Sequence, residues 1–142
     1  MDKQSEGLIL LKDIRHISRQ IEELQEEIDK VYALLTSTTI KPKEVDVQSS
    51  GAPDPMADKI IQMLEYQSEL ERQQTELFSK KNIVIKIIYQ MDIQNQQILL
   101  LRYFKGMSVE EMGEQIGYTY RWAWEKLHQA EEEFISLYEK TT

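Results

Sequence analysis

The chain has 142 residues, of which 17 are Lys or Arg and 25 are Asp or Glu, so its formal net charge is −8. This length fits one domain, or a small domain with an extension. Because the sequence contains no cysteine, a disulfide framework and a thiolate zinc site are both excluded. With only 5 glycines and 3 prolines, and few aromatic residues, the composition favours an all-α protein.

The sequence shows no segment that targets or crosses a membrane. The apolar stretch at residues 8–11 is too short for a secretory signal. The longest apolar run, residues 83–89, is interrupted by Lys86 and cannot span a bilayer. We therefore expect a cytoplasmic protein without a membrane partner.

A first long helix is predicted over residues 8–37, and most of the positions between its apolar residues hold Glu, Gln, Arg or Asp. Its apolar residues alternate at spacings of 4 and 3, which is the heptad pattern of a coiled coil. The alternative is a helix in an ordinary bundle. The stripe consists of Leu10, Ile14, Ile17, Ile21, Leu24, Ile28, Val31 and Leu35.

A flexible loop is predicted over residues 38–55, where Thr, Ser, Pro and Gly replace the heptad pattern. A second long helix follows from residue 56 to about residue 90, with Asp54 as N-cap and Pro55 at its first position. Two long helices joined by a loop predict an antiparallel, coiled-coil-like hairpin over residues 1–91. Gln67 and Gln74 are expected in its seam, on a stripe with Ile60, Met63, Leu70, Leu77, Val84, Ile88 and Met91.

Residues 92–142 are predicted to form a helix-turn-helix domain. A leucine-rich helix ends near Phe104, a short helix covers residues 109–116, and a last helix starts at Tyr120. The inward positions recur at spacings of 3 and 4, and small Ala123 would allow a close approach of the last two helices. These positions are Val109, Met112 and Ile116 on the short helix, and Ala123, Leu127, Ala130, Phe134 and Leu137 on the last.

Local signals mark the ends of these helices. Ser108 and Glu111 have the spacing of a capping box at the start of the short helix. Gly106 and Gly117 stand where the preceding helices must stop, and glycine readily adopts the left-handed conformation needed there. Thr119 is the predicted N-cap of the last helix.

The outward residues at the start of the last helix are the candidate DNA-binding residues. Arg121 could bond a guanine edge and Glu125 could accept from a cytosine amine. Thr119 and Lys105 could contact phosphate. Alternatively, Arg121 and Lys126 pair with nearby glutamates. The full predicted set is Lys105, Thr119, Tyr120, Arg121, Trp122, Glu125 and Lys126.

At least one of Trp122 and Trp124 is expected to be exposed, because Ala123 and Leu127 already fill the inward stripe. An exposed aromatic residue at this place could contact thymine methyl groups, and it could equally anchor a protein interface.

No catalytic, metal or cofactor site is expected, and the chain is not expected to be an enzyme. The glutamate clusters at residues 22–27 and 131–133 are interpreted as solvated helix faces. His16 and His128 have no partner at metal-ligand spacing. Glycine-rich phosphate loops and nucleophile motifs are missing from the sequence.

Residues 96–134 resemble the fourth region of bacterial sigma factors. With its Glu- and Gln-rich front helices, the chain is similar to small sigma-like regulators of phages and prophages of Gram-positive bacteria, including the RinA and ArpU type of late-gene activators. The matching residues are Ile98, Leu101, Arg102, Tyr103, Gly106, Met107, Ser108, Glu111, Met112, Ile116, Gly117, Tyr118 and Thr119.

The resemblance implies a transcription regulator that binds double-stranded promoter or operator DNA and works with RNA polymerase; we also expect a homodimer. The family usually carries Arg and Lys where this chain has Trp122, Trp124, Glu125 and Gln129. An acidic adaptor or inhibitor that binds another host protein is therefore the first alternative. A DNA-packaging recognition subunit is the second.

Overall fold

The computed structural model describes residues 3–40 and 54–141, which are all-helical and contain no β-strand. A π-helical turn, Leu100–Phe104, continues the third of five α-helices. These helices are α1 (Lys3–Ile40), α2 (Pro55–Ile88), α3 (Ile93–Leu99), α4 (Val109–Ile116) and α5 (Tyr120–Thr141). The all-α prediction is confirmed.

The predicted loop at residues 38–55 is helical at both ends. Residues 38–40 belong to α1, and Pro55 is the first residue of α2. Asp54 is the N-cap, as predicted, because its carboxylate accepts a hydrogen bond of 3.0 Å from the amide of Met56. The rest of the predicted loop, residues 41–53, lies outside the described residues.

The chain divides into a large unit, residues 1–18 and 76–142, and a small unit, residues 19–75. These units differ from the predicted division at residue 91, because the two long helices contribute to both of them. Leu11 and Ile14 from α1, with Val84, Ile87 and Ile88 from α2, belong to the same hydrophobic core as the C-terminal helices. Burial of such side chains is worth about 1.5–3 kcal/mol each, so these residues belong energetically with the C-terminal helices.

The heptad stripe predicted for α1 is confirmed within each unit, since all eight of its members are buried or half-buried. The stripe predicted for α2 is partly wrong: Ile60, Gln67 and Gln74 are exposed. The other six predicted members are buried or half-buried, and at the misplaced positions the inward residue lies one position earlier. Long side chains there bury their stems; the Nε2 of Gln73 donates to Glu69 at 3.0 Å, whereas its Oε1 is buried without a hydrogen-bond partner in the described part of the chain. These half-buried residues are Lys59, Tyr66 and Gln73 in the small unit.

α4 and α5 approach each other closely at Gly113 and Ala123. A Cβ on Gly113 would lie 3.0 Å from the Cβ of Ala123 and 3.1 Å from the carbonyl oxygen of Tyr118. The predicted inward faces are confirmed on both helices, with Ile116 and Leu137 half-buried at their ends. The fully buried members are Val109, Met112, Ala123, Leu127, Ala130 and Phe134.

Substitution of Gly113 tests this contact. Gly113→Ala should lower the free energy of unfolding by about 1–2 kcal/mol, because the overlap with atoms fixed to the backbone outweighs the helix propensity gained from alanine. Urea unfolding followed by circular dichroism measures this change.

Gln115→Ala is the matched control, since Gln115 is exposed on the same helix. It should change stability by less than about 0.5 kcal/mol. If the pair is in contact, adding Ala123→Gly to Gly113→Ala should cost less than the sum of the single changes. Strict additivity would contradict the contact.

Candidate functional site

The turn between α4 and α5 is built by three residues, Gly117, Tyr118 and Thr119. Gly117 has φ 90°, a left-handed conformation that favours glycine. The amides of Gly117 and Tyr118 both donate to the carbonyl of Gly113 at 2.8 Å. The hydroxyl of Thr119 then accepts a hydrogen bond of 3.2 Å from the amide of Trp122. Thr119 is thus the N-cap of α5, as predicted.

α4 begins with the predicted capping box. The amide of Glu111 donates to the hydroxyl of Ser108 at 3.1 Å, and the amide of Ser108 donates to the Glu111 carboxylate at 2.9 Å. The bond from the Ser108 amide, and next the interaction with the Ser108 hydroxyl, lower the pKa of Glu111 because both favour the charged form of its carboxylate.

The π turn joins α3 to α4 and was not predicted from the sequence. The amide of Lys105 donates to the carbonyl of Leu100 at 2.9 Å, which is the wider i to i−5 spacing. Gly106, with φ 72°, ends the turn as predicted. The Arg102 guanidinium donates to the carbonyl of Met107 at 2.8 Å and so ties the turn to the segment before α4.

Two glutamates of the 131–133 cluster are internal hydrogen-bond acceptors, which corrects their interpretation as a solvated face. The Tyr103 hydroxyl donates to the carboxylate of Glu131, and the amide of Asn95 donates to Glu133 at 2.7 Å. Burial, and next the bond to Glu131, raises the pKa of Tyr103 well above its usual value. Only Glu132 of the three is exposed. These bonds fix α5 against α3 and the π turn.

The side chain of Trp122 is held on both sides. The Tyr118 ring meets it edge-on, with ring centroids 6.4 Å apart, and the Nζ of Lys126 lies 5.2 Å from its centroid. The amide group of Gln94 on α3 donates to the hydroxyl of Tyr118. Trp122 is therefore an oriented platform that remains 43% exposed.

A second aromatic row lies beside the first on α5. Tyr120 meets Trp124 edge-on at 6.3 Å, and Trp124 stacks on His128 at 5.7 Å. Trp124 is half-buried against the core, whereas Tyr120 is 59% exposed. The expectation that at least one indole is exposed is confirmed, and Trp122 is that residue.

The predicted DNA-binding residues lie on the outside of the molecule. Lys105, Thr119, Arg121 and Glu125 are exposed, and Lys126 is half-buried along the Trp122 ring. Within the part of the chain that the structure describes, neither Arg121 nor Lys126 forms an ion pair with a glutamate. The alternative prediction, that Arg121 and Lys126 pair with nearby glutamates, is wrong for this region.

The structure brings some predicted residues together and leaves others apart. Side chains of Trp122 and Lys126 are in contact, and Thr119 caps the turn that carries Trp122. No described contact joins Lys105 to this set. Gln94 and Tyr118 support the site but were missed as site residues, because a bond across 24 positions has no local sequence signal.

The acid excess is unevenly distributed between the two units. By sequence, the large unit has 11 Lys and Arg against 13 Asp and Glu, whereas the small unit has 6 against 12. The large unit, which carries the candidate site, is thus near neutral. This is not seen when the charges are counted on either side of residue 91.

No metal-binding group of His, Asp or Glu occurs among the described residues. None of the described helices combines the length and apolar character that crossing a bilayer requires. Comparison with family models, with curated proteins and with solved structures gives no match to this chain.

The capping box predicts a specific loss of stability in acid. Because the pKa of Glu111 is lowered in the folded state, its contribution is present above the ordinary value of 4.5 and is lost as the pH falls below it. Glu111→Gln should therefore reduce the fall in urea midpoint that the wild type shows between pH 7 and pH values below about 4.

Glu110→Gln is the control, because Glu110 is exposed in the same turn and lies outside the capping box. It should leave the acid-induced fall of the urea midpoint close to that of the wild type. Equal pH profiles for the two variants would show that the reciprocal bonds are not maintained in solution.

Proposed function

We propose that this chain is a phage-type transcription regulator that binds double-stranded promoter or operator DNA. In this proposal α4 and α5 form a sigma-like helix-turn-helix, with α5 in the major groove, and α1 and α2 form the antiparallel hairpin that accompanies it. The protein would act in the cytoplasm with RNA polymerase, as the resemblance implies.

One observation carries the proposal: the first two turns of α5 present side chains that remain exposed beside their internal ring and cation–π contacts. Tyr120, Arg121, Trp122 and Glu125 face outward, while Ala123 between them is fully buried. A rigid helix with one buried and one free face is the geometry that base readout in a major groove requires.

Each exposed side chain has a role that fits its chemistry. Arg121, which has no ion pair among the described residues, can bond a guanine edge. The oriented Trp122 ring offers an apolar surface to a thymine methyl group. Thr119 uses its oxygen as an acceptor at the cap, so its hydroxyl hydrogen can still be donated to a phosphate.

The near balance of charge in the large unit weakens the charge argument against DNA without favouring DNA binding. Phosphate binding depends on cations near the interface, because charges beyond a Debye length of about 8–10 Å are screened. The chain's net charge of −8 therefore opposes DNA binding less than it would if the acidic residues were spread evenly over the chain.

Binding to another protein is the second candidate, and the exposed aromatic residues favour it. Tyr120 is 59% exposed and Trp122 is 43% exposed, and tyrosine and tryptophan are enriched among the residues that contribute most to binding at protein interfaces. In this reading the same α5 face docks on a polymerase subunit or on another host protein.

The proposal predicts salt-dependent DNA binding that requires Arg121. Purified protein should select a defined site from random duplex DNA, with an affinity that falls between about 50 and 200 mM salt. Arg121→Ala should remove about 1–3 kcal/mol of discrimination between the selected site and a scrambled one, as measured by fluorescence anisotropy.

Lys140→Ala is the control, since Lys140 is an exposed cation in the last turn of α5. It should leave discrimination unchanged. No binding at about 50 mM salt would overturn the proposal. If a protein partner, and not DNA, shields Trp122 from acrylamide quenching, the second candidate function replaces the first.

A further inference from the structure

The charge of this acidic chain is reversed over one stretch of its sequence. Residues 77–109 hold five Lys and Arg against a single acid, Asp92, whereas the rest of the chain holds 12 against 24. The stretch lies within the large unit and covers the end of α2, α3, the π turn and the segment up to the start of α4. A local excess of cations in such a chain favours an acidic partner at this place.

The same part of α2 carries a second stripe of side chains, in addition to the one that faces the core. We name Phe78, Asn82, Ile85 and Tyr89 the outer stripe. At about 100° per residue these four positions fall within about 60° of arc, so they form a single surface. Phe78 and Tyr89 are 67% and 69% exposed, Asn82 is exposed and Ile85 is half-buried. The amide of Tyr89 donates to the carbonyl of Ile85 at 3.1 Å, so the helical geometry extends to Tyr89.

The outer stripe has the spacing of a helix that pairs with another helix. Its residues follow one another at intervals of 4, 3 and 4, which places Phe78 and Ile85 at d positions and Tyr89 at an a position of a heptad. Asn82 occupies the other a position, where a polar side chain fixes the register of a helix pair. The stripe spans about 16 Å, or three helical turns, and so matches an amphipathic helix.

Lysines flank the outer stripe on both sides. In this heptad assignment Lys81 occupies a g position and Lys86 an e position, and charges at these positions decide which helices pair. The Nζ of Lys81 lies 5.2 Å from the ring centroid of Phe104 on the π turn. Neither lysine forms an ion pair with a described residue. Both charges are therefore available to acidic residues at the e and g positions of a partner helix.

The same lysines disfavour pairing of the outer stripe with its copy in a second chain. In a parallel pair Lys81 of one copy would face Lys86 of the other, and in an antiparallel pair each lysine would face the same flank of its copy. Both arrangements bring like charges together, which opposes association. The occupant that fits apolar and cationic positions together is a helix with apolar a and d residues and acidic e and g residues.

We propose that the outer stripe, together with Lys81 and Lys86, docks an acidic amphipathic helix of a partner protein. The partner helix packs its apolar side chains against Phe78, Ile85 and Tyr89 and places Glu or Asp beside the two lysines. This surface contains none of the candidate DNA-binding residues, so the inference goes beyond the proposed function and does not rest on it.

Fluorescence anisotropy of a labelled peptide titrated with the full chain tests the proposal. The probe is a peptide of about three heptads with Leu at a and d and Glu at e and g, where the glutamates keep it from pairing with itself. It should bind with a dissociation constant below about 100 µM, and the same peptide with Lys at e and g should bind at least tenfold more weakly. Lys81→Glu combined with Lys86→Glu should reverse this preference, because it reverses the charges that face the peptide.

Phe78→Ser tests the apolar part of the surface. It should weaken binding of the Glu peptide at least tenfold, because most of the phenyl ring is exposed in the free chain and becomes buried in the complex. Tyr89→Ser should act in the same way and serves as the second variant if Phe78→Ser lowers the helical circular dichroism signal. Ile83→Ser is the matched control, since Ile83 is an exposed apolar residue of the same part of α2 outside the outer stripe. Lys140→Glu is the charge control, and both controls should leave the peptide affinity unchanged.

The proposal is overturned if the Glu peptide does not bind at about 100 µM, if the Glu and Lys peptides bind equally, or if neither Phe78→Ser nor Tyr89→Ser weakens binding. A wild-type dimer in sedimentation equilibrium that Phe78→Ser dissociates would assign the outer stripe to a second copy instead. Duplex DNA binding that is lost with Lys81→Glu and Lys86→Glu, at unchanged peptide affinity, would assign the lysines to phosphate contact.

Arg121→Ala separates this inference from the proposed function. It should leave the affinity for the Glu peptide unchanged, because Arg121 is on α5 and the outer stripe is on α2. Peptide binding without DNA binding would overturn only the proposed function, and DNA binding without peptide binding would overturn only this inference.

Discussion

The contact between Gly113 and Ala123 determines which residues of α5 face outward. A helix can approach another this closely only where both lack bulk, and a Cβ on Gly113 would lie 3.0 Å from that of Ala123. Since Ala123 is held against α4, the helical repeat turns its neighbours Arg121, Trp122 and Glu125 away from the core. The exposed face of α5 is a consequence of this packing.

Three hydrogen bonds from two other elements, α3 and the π turn, fix the orientation that this packing sets. Asn95 of α3 binds Glu133, Tyr103 of the π turn binds Glu131, and Gln94 of α3 binds Tyr118 before α5. Breaking the bond to Glu131 or Glu133 would leave a partly buried carboxylate without a donor, and this costs more free energy than the bond itself contributes. Both bonds therefore resist rotation of α5. An interface residue gains affinity from this rigidity because little side-chain entropy is lost on binding.

Features with a local cause could be predicted from the sequence, whereas features with a tertiary cause could not. The caps at Ser108 and Thr119 follow from residue type and spacing within one turn. The seam of α2 was predicted correctly at most of its apolar positions but lay one residue too late at its polar ones, because apolar periodicity cannot foresee that Tyr66 and Gln73 are half-buried. The roles of Glu131 and Glu133 depend on donors about 30–40 residues away, which a charge run does not reveal.

The exposed face of α5 limits the affinity that the proposed DNA contact can reach from one copy of the chain. The exposed face of α5 carries a single unpaired guanidinium, Arg121, and a lysine that lies along an indole, so one copy offers few cations to phosphate. If the expected homodimer forms, it would place two such faces on one duplex, and the second contact would form at an effective concentration in the millimolar range. Under the proposed function, an acidic chain with a thin basic surface would reach specific affinity by pairing its binding faces on one duplex.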